Sequence, residues 1–467
     1  MFAAIKLVEL RPDLSIIMFE KGKRRHNGSS EDLDKIASGS CDDEHPDSLT
    51  EGWGGAGAVS DGKFNLDETG RVGGRLVTGG YVSRETYVRR LHEAADLYIK
   101  FGGDNKRIFG VRDEKNVDAV RRVRELQRIG AAHRIELHTF PILHLGTSTA
   151  HAIVENIRTY LTDHGVEIME ECMVQDMVHT DRGWMVQTRE RGTCWAKHVI
   201  VCPGRSGATW FRAFAEAKGM LLHNNGVDIG VRVETSQVIM EELTDLLYEA
   251  KCYFRSGNDD NWRTFCMCPN GRVAMEHYQD TGIRCANGHT DPENLSDNCN
   301  FAVLGTQVFT APFSNPLRYG QRIADLHNDL AGGEGILVQR LGDMRDQRRS
   351  TPHRIAKSMV TPTLTEEGGA IPGDIRLAMP GRFTAGLMRF FEAFDFIAPG
   401  INNPDTLLYG PEIKLHMSRV EADPTRGFEA AHHLHVAGDG AGYTRGLNGA
   451  SVHGMLVAEW IAKNFGE

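Results

Sequence analysis

The sequence predicts an α/β protein with two domains, one built on parallel strands and helices and the other rich in antiparallel strands. Two observations carry this expectation. A helix-turn-strand run opens the chain and a strand, glycine turn and helix close it, while the middle changes to short β-rich runs separated by Asn, Gly and Asp clusters. The length of 467 residues exceeds what one ordinary core organises.

Phe2 to Leu10 places apolar residues at helical spacing, Arg11-Pro12-Asp13 breaks the pattern, and Ser15 to Phe19 is a compact apolar run ending in Glu20. In a dinucleotide-binding βαβ unit this order follows a first strand and a G-x-G-x-x-G turn, and an acid stands about 20 residues past the glycines to hold ribose hydroxyls. Glu20 occupies that place if the glycines lie just ahead of Met1; the plain alternative is a surface Glu ending a strand. Lys23 to Glu51 reads as a polar surface excursion.

Gly52-Trp-Gly-Gly-Ala-Gly57 satisfies G-x-G-x-x-G to the letter, but no buried strand precedes it and no amphipathic helix follows, so it lacks the context that gives the motif its mechanism. Helices are expected near 84–101, 117–129 and 150–164, and strands over Val166 to Met169, 173–179 and 183–188. Lys197 to Gly207 reads as a short strand delivering a glycine turn. The middle, from Asn225 to Pro372, holds strand runs at Val227 to Val233, Thr264 to Cys268, Arg272 to Glu276 and Ala302 to Phe309, with a helix from Gly320 to Leu330.

The tail is the most informative segment. His433 to Ala437 is an apolar strand, Gly438-Asp-Gly-Ala-Gly442 is a flexible turn with one acid, and Gly446 to Gly454 leads into a helix expected from Met455 to Asn464. Free N–H groups at a helix start attract a diphosphate or a flavin carbonyl, and small residues let the ligand reach the backbone. The plain alternative is a terminal helix packed through its glycines.

Composition excludes some classes. A net charge of −10 with dispersed basic residues, apart from Lys21, Lys23, Arg24 and Arg25, argues against nucleic-acid binding. No apolar stretch approaches the roughly 20 residues of a membrane helix, and no signal-peptide order is visible, so a cytoplasmic setting without membrane partners is expected. The nine cysteines are scattered and odd in number, as free thiols would be. Cys266 and Cys268 form a C-x-C pair without a second pair at metal-ligand spacing, and they read as small apolar fillers rather than a metal site.

Taken in order, Phe19 to Gly22, Gly54 to Gly57 with Ser60 to Lys63, His144 to Thr147, Val199 to Gly207, Ile229 to Glu234, Phe265 to Pro269, Gln339 to Asp343 and Ala437 to Gly442 resemble the uncharacterised FAD-dependent dehydrogenases among the glutathione-reductase-fold flavoproteins. The resemblance spans nearly the whole chain. It implies a Rossmann-like FAD/NAD(P)-binding domain of the three-layer ββα type over 1–224 and 373–467, with a β-rich α+β substrate or cap domain over 225–372. It implies FAD contacts from Glu20, Lys21, Gly54, Gly55, Ser60, Asp61, Gly62, Lys63, Val174, Gly204, Gly438, Asp439, Gly446, Leu447, Asn448 and Ala450. Glu20 would hold the adenosine ribose, the main chain near Val174 would face adenine, and Gly438, Asp439 and the turn after Gly446 would meet the diphosphate, ribityl chain and flavin.

The sequence departs from that family at three places. It opens inside the helix that follows the first strand and glycine turn, so the diphosphate cradle is expected upstream of Met1 or is missing. Cys202-Pro203-Gly204 replaces Ala-Thr-Gly, and His416 and Met417 stand where small polar residues are usual.

The expected function is hydride transfer through flavin on a small organic substrate, a reaction that obliges no catalytic acid or nucleophile. His453 and Arg232 are candidates for polarising flavin or substrate, with a structural role as the plainer reading. No second strand-glycine-helix unit for NAD(P)H is visible, which leaves NAD(P)H binding transiently over the flavin or an electron-transfer partner protein as the reductant. A truncated or decayed relative that serves as a binding or scaffold protein or does not fold stably, and a nicotinamide-only dehydrogenase, are the competing readings; the far C-terminal position of the glycine-Asp turn disfavours the latter.

Overall fold

A computed structural model describes residues 1–22, 51–59, 62–110, 116–204, 207–257, 259–278, 282–290, 294–310, 312–313, 315–365, 369–414 and 418–466. The surface excursion expected over 23–50, the basic residues Lys23, Arg24 and Arg25, Ser60, Asp61, His416 and Met417 therefore lie outside the described residues.

The chain is mixed α/β with two main hydrophobic cores and a smaller third. The first core gathers the opening helix Phe2–Leu10, the helices Arg84–Lys100 and Thr147–Asp163, and the terminal helix Leu447–Asn464. Arg84–Lys100 starts where Ser83 accepts a hydrogen bond from the Thr86 N–H, which satisfies one of the free donors of the first turn. The opening and terminal helices pack through small residues, a Cβ at Gly454 lying 3.3 Å from the Ala3 nitrogen. Their apolar faces are fully buried at Ile5, Val452, Met455 and Val457.

Parallel strands flank this core in two separate sheets. Ile17–Phe19 pairs with Glu167–Met169, and Val199–Val201 pairs with Leu434–Val436, which in turn carries the antiparallel Glu429–Ala431. Among the described residues no strand joins the two pairs.

The second core lies against an eight-stranded sheet ordered Ala370–Pro372, Ile336–Arg340, Leu407–Lys414, Val227–Ser236, Asn298–Gln307, Asn261–Cys268, Lys251–Arg255 and Ile135–His138. It is antiparallel except for its first pair. Two of its strands, Ile135–His138 and Leu407–Lys414, and two of its helices, Val117–Ala132 and Gly381–Phe394, come from outside 225–372.

Strand alternation explains the two faces of this sheet. Val227, Ile229, Val231 and Val233 join the core beneath Phe383, Phe390 and Phe394, while Asp228, Arg232 and Glu234 point to the opposite face and are equally buried. Glu234 is held there by Tyr409 Oη, Thr363 Oγ1 and Asn298 Nδ2. No helix among the described residues is long and apolar enough to cross a membrane.

Candidate functional site

The glycine turns expected to meet a cofactor converge. Glu20 ends the early strand, its Oε1 accepting from the backbone N–H of Gly22 at 2.9 Å and Gly52 at 3.1 Å. Lys21 instead turns to Glu51 at 2.5 Å. Gly52 opens the turn into the short 3-10 helix Gly55–Val59, where Gly54 and Gly55 both adopt positive φ. Gly54 also lies so near the helix Thr147–Asp163 that an added Cβ would stand 2.7 Å from Val154. At the other end of that turn a Cβ on Gly57 would stand 2.8 Å from Leu447, the first residue of the terminal helix.

The tail completes the arrangement. Gly438 has φ +80°, and its N–H donates to His453 Nδ1 at 3.2 Å. Asp439 accepts from Thr444 Oγ1 at 2.6 Å and from the Gly446 N–H at 3.0 Å, which ties the glycine turn to the helix start. Gly204, at the end of the strand Val199–Val201, abuts this turn, since a Cβ on Gly440 would lie 2.2 Å from its carbonyl. At Gly204 and Gly438 themselves a Cβ would meet nothing within 4 Å, so these two backbones face open space. Gly446 caps the helix without a side-chain bond, leaving its first N–H groups unengaged by any cap.

Asn448 is buried, its Nδ2 donating to Val72 O at 2.8 Å and Tyr87 Oη at 3.3 Å while its Oδ1 has no hydrogen-bond partner. Ala450 N–H donates to Gly446 O at 3.1 Å within the same first turn. The terminal helix thus begins at Leu447, eight residues ahead of the expected Met455, because Gly449 and Gly454 sit inside it as packing positions rather than as a turn. Val174 stands at the start of a separate three-stranded sheet, but Cys172 N–H donates to Glu20 O at 2.9 Å, which brings this segment beside the early acid.

Gly62 accepts the Leu145 N–H at 2.9 Å, and Lys63 leaves the glycine cluster altogether. Its ammonium donates to Met267 O at 2.5 Å and lies 4.0 Å from Glu249, so it bridges to the polar face of the large sheet.

That face carries most of the charges that sequence reasoning missed. Arg263 pairs with Asp228, Arg445 reaches the same carboxylate at 3.5 Å, and Thr306 Oγ1 donates to its other oxygen at 2.5 Å. Lys251 pairs with Glu249 at 2.5 Å, and Lys414 lies 3.4 Å from Glu412 and 3.6 Å from Glu276. The Phe265 ring sits among them, 4.9 Å from Lys251 and 5.3 Å from the Arg263 guanidinium. Single charged residues inside strand runs give no sequence signal; only the alternation that sends Asp228, Arg263 and Phe265 to one face could have grouped them.

Of the two polarising candidates, Arg232 is wholly buried, with Nε and Nη2 on Asn300 Oδ1 at 2.8 and 2.6 Å and Nη2 also on Cys266 O at 2.8 Å. His453 is equally buried against Phe428 and Tyr443, and burial pushes its pKa down to about 3, so its ring stays neutral. Cys266 breaks the strand register at φ +49° and so does not share the regular strand face of Cys268. The thiol of Cys268, together with Lys63 and Arg232, holds Cys266 well below the usual thiol range. Among the described residues the eight cysteines are free thiols, and no group of three metal-ligating side chains occurs.

No family model matches this chain. It is similar to an uncharacterized protein of Clostridium beijerinckii, 25% identical over 361 residues that make up 73% of this chain and 65% of that protein, so the chain spans less than two thirds of its relative. Among solved structures it is similar to glycine oxidase from Geobacillus kaustophilus at 12% identity, over 99% of this chain and 91% of that one, with a TM-score of 0.37. L-amino acid deaminase from Proteus vulgaris shows 13% identity over 98% and 89% of the two chains, with a TM-score of 0.34. The crystal structure of CtdE in complex with FAD shows 12% identity over 98% and 78%, with a TM-score of 0.31.

Proposed function

We propose that this chain is an FAD-dependent oxidoreductase that passes a hydride between flavin and a small organic substrate. The observation that carries the reading is the meeting of the backbones of Gly204 and Gly438, both facing open space, with the uncapped start of the Leu447–Asn464 helix. Such a cradle suits a flat, partly anionic nucleotide, because the helix start offers N–H donors and positive dipole while absent side chains permit close approach.

In this reading Glu20 Oε2 accepts the adenosine ribose hydroxyls while Oε1 stays on the backbone of Gly22 and Gly52. Lys21, Gly54 and Gly55 border the nucleotide, and the main chain at Val174 faces adenine. Gly204, Gly438 and Asp439 meet the diphosphate and ribityl chain, with Gly446, Leu447, Asn448 and Ala450 at the flavin. Gly62 and Lys63 connect this cradle to the polar sheet face, where the substrate binds, and Ser60 and Asp61, outside the described residues, are kept as cofactor contacts on the resemblance alone. When bound, FAD supplies the hydride chemistry, and the protein supplies placement and electrostatics. His453, held neutral and donating nothing to Gly438, fixes the turn rather than moving a proton. The reductant is NAD(P)H bound transiently or an electron-transfer partner.

Titration of the purified chain with FAD, followed by gel filtration and absorbance, tests the proposal. A retained yellow chromophore bleached by dithionite is the expected result. Colourless protein after saturation with FAD refutes it and favours a relative that binds without flavin chemistry.

A further inference from the structure

The polar sheet face is densely charged where it meets the glycine turn. Three guanidinium groups gather there. Arg263 and Arg445 both reach Asp228, and Arg75 donates to Asn225 Oδ1 at 3.3 Å. Two carboxylates stand among them, Asp228 and Asp439. Asp439 is itself occupied by Thr444 and the Gly446 N–H.

The surrounding carboxylates are already engaged. Glu249 is shared by Lys251 and Lys63, and Glu412 by Lys414 and Arg232, with Glu276 also beside Lys414. Burial lowers the pKa of Arg445; Asp228 and Asp439 raise it again, while Arg263 and Arg75 press it further down. Arg263 Nη1 is buried without a hydrogen-bond partner, a costly state for a charged donor. The side chains of Arg263 and Arg445 keep 14% and 34% of their surface exposed, so the recess opens to solvent, and Arg445 immediately precedes the helix start at Gly446.

We infer that this recess binds the carboxylate of the substrate, a small organic monoanion received between Arg263 and Arg445, with its apolar body against Phe265. Planar guanidinium forks fit a carboxylate, and Arg263 Nη1 gains the acceptor it lacks. The inference rests on the oxidoreductase reading and names the class of substrate for it.

The test uses the full chain, with and without saturating FAD, and benzoate as probe against its uncharged counterpart benzamide. Isothermal titration is expected to show benzoate binding at least tenfold tighter than benzamide. Arg263→Gln should weaken benzoate tenfold or more, and Arg445→Gln, on the open rim, should do the same if Arg263→Gln fails to fold. Asp228→Asn should tighten benzoate, because it removes the internal competitor, an outcome a purely structural ion pair would not produce. Equal binding of benzoate and benzamide, absent benzoate binding, or unchanged affinity in the arginine variants overturns the inference. FAD retention is read separately by absorbance. Benzoate binding without FAD retention refutes only the flavin reading, and FAD retention without benzoate binding refutes only this one.

Discussion

Gly449→Ala sets two physical effects against each other, and the structure decides the sign. Gly449 lies inside the Leu447–Asn464 helix, where propensity alone favours Ala by about 1 kcal/mol. A Cβ at this position, however, would stand 1.7 Å from the carbonyl oxygen and 2.7 Å from the carbonyl carbon of Gly73. To reach ordinary contact the Gly73 carbonyl must retreat by roughly 1.5 Å, more than a packed interior yields. That carbonyl accepts the Arg445 N–H at 2.9 Å, so the shift also breaks a bond beside the glycine turn. Overpacking at about 1–3 kcal/mol and the lost bond at about 1 kcal/mol outweigh the propensity gain, for a net loss of about 1–3 kcal/mol. Thermal unfolding followed by tryptophan fluorescence should show the midpoint lowered by roughly 1 °C per kcal/mol for a chain of this length. A midpoint unchanged or raised would refute the packing argument and leave propensity in control.

His327 is wholly buried with no partner on Nε2, and burial lowers its pKa to about 4. Its folded pKa lies below the unfolded value of about 6.5, so the stability it contributes is present above pH 6.5 and falls as pH drops toward 4, by up to about 1.4 kcal/mol per unit. His327→Gln should flatten urea midpoints measured between pH 6.5 and 4, and an unaltered slope would count against the assignment. Tyr409→Phe removes a donor from buried Glu234 and should cost about 1–3 kcal/mol in urea unfolding, whereas a neutral result would mean the carboxyl is satisfied by Thr363 and Asn298 alone. Asp439→Asn keeps the shape of the turn but loses its charge; FAD affinity measured by fluorescence quenching should fall about tenfold, some 1.4 kcal/mol, and unchanged affinity would separate this turn from the cofactor.

Local signals in the sequence were legible where the chain contacts its near neighbours. The apolar period from Arg84 gave the helix Arg84–Lys100 almost to the residue. The β-rich runs in the middle are strands, extended by a few residues at one end, although the run expected to reach Phe309 starts at Asn298 and stops at Gln307. The helix expected from Gly320 begins at Pro316, with Asn315 accepting the Arg318 N–H, a cap signal present in the sequence but not weighed. Pairing between distant strands was not legible. Leu407–Lys414 is buried along its whole length in the middle of the large sheet, yet its Gly, Pro, Glu and Lys residues obscure any strand pattern. The tail turn was found because glycines and an acid cluster in a few consecutive residues. The charged recess was missed because Arg75, Asp228, Arg263 and Arg445 approach one another only after folding.

The route of the chain through the large sheet limits how the molecule can be dissected. A fragment cut at 225 and 372 would lack Leu407–Lys414, the rung between Ile336–Arg340 and Val227–Ser236, and would expose two raw edges in place of a continuous layer. A cut at those two points therefore divides one sheet rather than separating two modules, and surface loops are where inserted sequence can be absorbed.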